Sequence, residues 1–144
     1  VGAILALPER IPAGIVARDR VSLRDLPATI LDLAAPGGAN PFPGASLARF
    51  WLKGSATPDT LYVQTRLARN RPTWDATSLG DLQGVVVGDL HLIRQADGGI
   101  ALYDLATDSL ETRNLAPLPA WSTQRAALTE QLDRVMGPPV RRAP

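Results

Sequence analysis

Few side chains in this sequence could do chemistry. The single imidazole, His91, lies between Leu90 and Leu92 in a stretch of strand character, so it projects opposite to both. A general base or an anion contact there would call for a nucleophile or an orienting carboxylate beside it. None lies near it in sequence, which favours an exposed position on a sheet face. Asp104 and Asp108 could form a carboxylate pair for acid–base or metal work. Their place at a strand end, among Thr107 and Ser109, favours turns in which each carboxylate accepts from nearby backbone amides. Asp19, Asp25 and Asp32 fall on or beside helix starts and solvent faces. Lys53 is the only lysine, so a lysine-based catalyst has one candidate.

The cluster Arg66, Arg69, Arg71 and Trp74 stands apart. Guanidinium groups in a long loop can hold a sulfate, phosphate or carboxylate through forked hydrogen bonds, with an indole stacking on a ring. The competing reading is a solvated loop whose tryptophan packs on the sheet. Trp51 and Trp121 sit on helix faces and read as core. No Gly-rich phosphate cradle, nucleophile elbow or His-bearing metal motif is present. The chain has no Cys, which excludes disulfides, thiolate metal sites and a cysteine nucleophile and leaves the redox compartment unreadable. One His excludes any site built on two imidazoles. Nothing here amounts to a complete active site.

The elements that would position these residues are short. The chain has 144 residues, 13 of them Pro and 12 Gly, and a formal net charge of +1, which gives no electrostatic reason to expect nucleic acid or an anionic membrane as partner. No segment approaches the ~20 apolar residues of a membrane span. Residues 1–7 are unbroken apolar, as in a strand covered on both faces of a parallel sheet. No second run like it follows, and the chain does not open on Met, so the expectation is a piece of something longer whose sheet partners lie elsewhere. A turn-rich connector, residues 8–14, leads to Ser22 as N-cap with Asp25 completing a capping box. Leu26, Ile30, Leu33 and Ala34 then form the apolar stripe of a helix. Ser46 caps a second, short helix whose Leu47, Phe50 and Trp51 share a face. Leu61–Thr65 reads as a strand and residues 66–82 as a long loop. Gln83–Val87 and Leu90–Arg94 flank a Gly88-Asp89 turn, and Ile100–Leu105 follows Asp97-Gly98-Gly99, an antiparallel meander. Ser122 starts a last helix, ended by Gly137.

The order of these segments resembles the C-terminal part of the sulfatase family, within the alkaline-phosphatase-like superfamily. VGAILALPERIPAG, residues 1–14, looks like the last core strand of the family and its Pro-x-x-Ile-Pro-Ala-Gly turn. VSLRDLPATILDLA, residues 21–34, resembles the "VSLVDLxPTLLDLA" helix, and PGASLARFWLKG, residues 43–54, the "GxSLxxLLxG" segment. GDLHLIRQADGGIALYDLATDSLETRNLA, residues 88–116, is similar to "GxYKLI…ELYDLxxDPxETxNLA". There are departures: Pro27 sits one position early, Ser109 replaces a proline, Gly2 the proline after the valine, and His91 a lysine.

The resemblance implies an α/β fragment. Residues 1–54 would end the large α/β sulfatase domain with its last strand and helix. Residues 55–137 would form a small α+β subdomain with an antiparallel sheet and a C-terminal helix, and residues 138–144 a loose tail. It implies a hydrolase cleaving sulfate esters as the whole protein, with phosphate or phosphonate ester hydrolysis or phosphoryl transfer as the alternative on the same fold. A free-standing, non-catalytic binding module is the second alternative. The family's nucleophile, a formylglycine made from Cys or Ser in a C/S-x-P-x-R motif, has no counterpart here. Its divalent cation, calcium, is held by residues that would lie upstream. No catalytic and no metal residue is therefore carried over, and Arg66, Arg69, Arg71 and Trp74 stay as substrate-binding candidates. The implied partners are the N-terminal catalytic domain and a small sulfated or phosphorylated substrate, with no nucleic acid and no membrane segment, in a periplasmic or extracytoplasmic setting.

Overall fold

The computed structural model describes residues 4–17, 19–52, 60–66, 72, 76–78 and 80–139. The chain divides into two compact units, Val1–Asp59 and Thr60–Pro144.

The first unit is built on α1, Asp25–Ala34, and the single turn α2, Arg49–Leu52. Its start follows the expected box only in part. The Asp25 carboxylate accepts from the Ser22 N–H at 3.1 Å, while the Ser22 hydroxyl accepts from the Arg24 N–H at 3.3 Å, two residues on instead of three. That makes a tight turn before the helix, and Arg24, without a side-chain cap, is the N-cap. Pro27 falls in the first turn, where its missing N–H is no loss.

The buried face of α1 is not the apolar stripe. Asp25, Ala28 and Thr29 are buried, whereas Ile30 is 63% exposed. The reason is the loop that α1 holds. The other oxygen of Asp25 accepts from the Ala45 N–H at 3.0 Å. The Thr29 hydroxyl donates to the Asp25 carbonyl at 2.7 Å and accepts from the Leu47 N–H at 2.9 Å. Ser46 donates to Asp32 at 2.7 Å. Buried backbone amides require partners, so polar side chains take the inward positions that periodicity alone would give to leucines. Gly44 lies against Arg24, where a Cβ would come within 2.1 Å of the carbonyl oxygen. Residues 4–7 form no strand, and Ile4 is 97% exposed. The expected core strand is thus not formed over the described part of that run. A strand needs a neighbour for its hydrogen-bond ladder, and no described residue of this unit supplies one.

The second unit is a four-stranded antiparallel sheet in the order β1 (Leu61–Thr65), β2 (Leu82–Val87), β3 (Leu90–Arg94), β4 (Ile100–Asp104). One helix, α3 (Ser122–Met136), packs against β2 and β3. The β2–β3 turn needs a positive φ only at Gly88, 56°, as in a type II′ hairpin. Register places Val85, Leu92 and Leu102 side by side, and with Leu128 and Leu132 of α3 they form the core. Full burial of each such leucine contributes roughly 1.5–3 kcal/mol. Ser122 is the first helical residue, not the cap; a 3-10 turn, Pro119–Trp121, precedes it and makes Trp121 the N-cap. Gly137, at φ 64°, ends the helix as expected.

Candidate functional site

Of the four substrate-binding candidates, Arg66 is described: it is exposed and directly follows β1. Arg69, Arg71 and Trp74 lie outside the described residues. The stem of their loop is fixed. Thr65 pairs with Leu82, and the Gln64 amide donates to the buried Asp81 carboxylate at 3.4 Å.

His91 is not the exposed residue its sequence neighbours suggest. It lies on the sheet face opposite α3, paired with Val86 and Tyr103, and its side chain is 15% exposed. Glu111, twenty residues on, brings Oε1 to 2.6 Å from His91 Nδ1. On the other side, a Cβ on Gly84 would lie 3.0 Å from Nε2. The imidazole is therefore wedged between a carboxylate and the β2 backbone. The Glu111 contact fixes the ring, and the pair reads as a clasp between sheet and loop. Local sequence could not show Glu111 as the partner, because the contact depends on the loop folding back.

Asp104 and Asp108 do what turn chemistry predicts. Asp104 accepts from the Ala106 N–H and the Thr107 hydroxyl, both at 3.0 Å. Asp108 accepts from Thr112 N–H and hydroxyl at 3.0 Å and from Arg113 N–H at 2.8 Å. The Arg113 amide, then the Thr112 amide, hold the Asp108 carboxyl below its ordinary value. Next to them Asn114 closes the outer edge of β4: its Oδ1 accepts from the Leu102 N–H at 3.0 Å and the Ala116 N–H at 2.9 Å, while Leu115 N–H donates to the Leu102 carbonyl at 2.8 Å. A shallow depression beside this turn is lined by Asp104, Thr107, Asp108, Arg113, Leu115 and Trp121.

The buried Arg94 binds the sheet to the end of α3. Its guanidinium donates to Gln83 Oε1 at 2.7 and 3.2 Å, to the Gly137 carbonyl at 2.5 Å, and to the Asp133 carboxylate. All its polarity is directed inward, to protein partners.

No family model and no curated protein matches the sequence. Solved structures do. A phosphonate monoester hydrolase of Agrobacterium radiobacter matches 83% of this chain at 20% identity and a TM-score of 0.57. That of Silicibacter pomeroyi matches 76% at 27% identity, TM-score 0.57, and a Bacteroides thetaiotaomicron protein assigned as a sulfatase 76% at 26%, TM-score 0.56. The chain shares its fold with the C-terminal part of these alkaline-phosphatase-like hydrolases. It spans 28%, 24% and 23% of their respective lengths. The sulfatase-like fold carries a general expectation of a metal ion. The residues here do not fit one: among the described residues no group of three or more His, Asp or Glu could hold a cation. The carboxylates of Asp25, Asp104 and Asp108 are turned onto backbone amides instead. No described helix is long and apolar enough to cross a membrane.

Proposed function

We propose that the chain is the C-terminal part of a sulfatase-like hydrolase that cleaves sulfate esters, and that it does not turn over substrate by itself. In this reading residues 1–54 complete the large α/β domain, residues 55–137 form the subdomain beside the substrate mouth, and residues 138–144 are a loose tail. The observation that carries it is the match to the Bacteroides thetaiotaomicron sulfatase, at 26% identity over 76% of this chain and 23% of that one. The divalent cation, calcium, and the formylglycine nucleophile would belong to the N-terminal catalytic domain, which is the principal partner. Arg66, Arg69, Arg71 and Trp74 would receive the anionic group of a small substrate, which suits their place on a loop with a fixed stem.

The alternative, phosphate or phosphonate ester hydrolysis on the same fold, is favoured by two matches that are phosphonate monoester hydrolases. A full-length protein containing this chain should be assayed with aryl sulfates and with aryl phosphonate monoesters under the same conditions. Faster turnover of the sulfate supports the first reading; faster turnover of the phosphonate overturns it in favour of the second. Turnover of neither leaves the binding-module reading. Arg69→Ala and Arg71→Ala should raise KM or lower kcat/KM, and unchanged kinetics would remove the loop from the substrate mouth.

A further inference from the structure

We draw no further inference here: the strongest candidate, the shallow depression beside the end of β4 lined by Asp104, Thr107, Asp108, Arg113, Leu115 and Trp121, carries no ligand argument, because its two carboxylates already hold the backbone of their own turns and nothing independent of that acidic pair points to a bound group.

Discussion

His91 Nδ1 and Glu111 Oε1 stand 2.6 Å apart, and Glu111 makes this contact from a left-handed backbone conformation, φ 56°. A non-glycine residue holds that conformation at a cost of roughly 1–2 kcal/mol, which the contact with His91 helps to offset. A double-mutant cycle of His91→Gln and Glu111→Ala in thermal or urea unfolding should give a coupling of about 1 kcal/mol. Glu111→Gly should be more stable than Glu111→Ala by about 1 kcal/mol, since glycine accepts the backbone shape. Additive single effects in the cycle would mean that the pair contributes nothing. Gly84→Ala crowds the imidazole from its other side and should destabilise by about 1 kcal/mol.

Arg94→Met should shift the urea midpoint downwards by the equivalent of about 2–3 kcal/mol, because Gln83, Asp133 and the Gly137 carbonyl all lose their donor. Arg94→Lys keeps the charge without the planar fork and should recover only part of the loss. Equal midpoints for Arg94→Lys and the unsubstituted chain would show that the fork geometry is irrelevant.

Asp108 sets an acid limb on stability. Its folded carboxyl titrates below its ordinary value, so the ionised form is favoured by folding, and that contribution is present above about pH 4. It is lost as pH falls through the depressed folded value. Melting temperatures measured from pH 5 to pH 2 should therefore fall less steeply for Asp108→Asn than for the unsubstituted chain. Parallel curves would contradict the role of the Arg113 and Thr112 amides.

Thr29→Val leaves the Leu47 N–H without its acceptor inside the first unit and should cost about 1–3 kcal/mol, whereas Thr29→Ser should keep most of the stability. Amide exchange at Leu47 reads this directly: faster in the valine variant, near normal in the serine variant. Gly44→Ala should loosen the same loop, since its Cβ would meet the Arg24 carbonyl.

The meander is readable because strand and turn chemistry agree locally: Gly88-Asp89 and Asp97-Gly98-Gly99 bracket β3, which has the expected bounds, while β2 and β4 each differ from expectation by one residue at one end. The same holds for Asp104 and Asp108, whose acceptors serve amides two to five residues away. What escaped depends on distance in sequence. The Glu111 partner of His91 and the Gln83–Arg94–Asp133 cluster exist only once β4, the loop and α3 have returned to the sheet. The buried face of α1 departs from the apolar stripe for another reason. Periodicity counts apolar residues, whereas α1 is held by Asp25 and Thr29, which satisfy amides of a loop that periodicity ignores. Arg66 stands at the end of β1, as the strand reading of residues 61–65 implies.

The sheet order β1-β2-β3-β4 also bears on how the second unit comes together. Every strand pairs only with its neighbour in sequence, and two residues separate β2 from β3, five β3 from β4, against sixteen between β1 and β2. Loop-closure entropy then favours β2–β4 as the nucleus, with β1 and α3 added afterwards. Substitutions at Leu92 should accordingly slow refolding, while those at Leu61 should chiefly speed unfolding, and stopped-flow kinetics giving the reverse would reject this order.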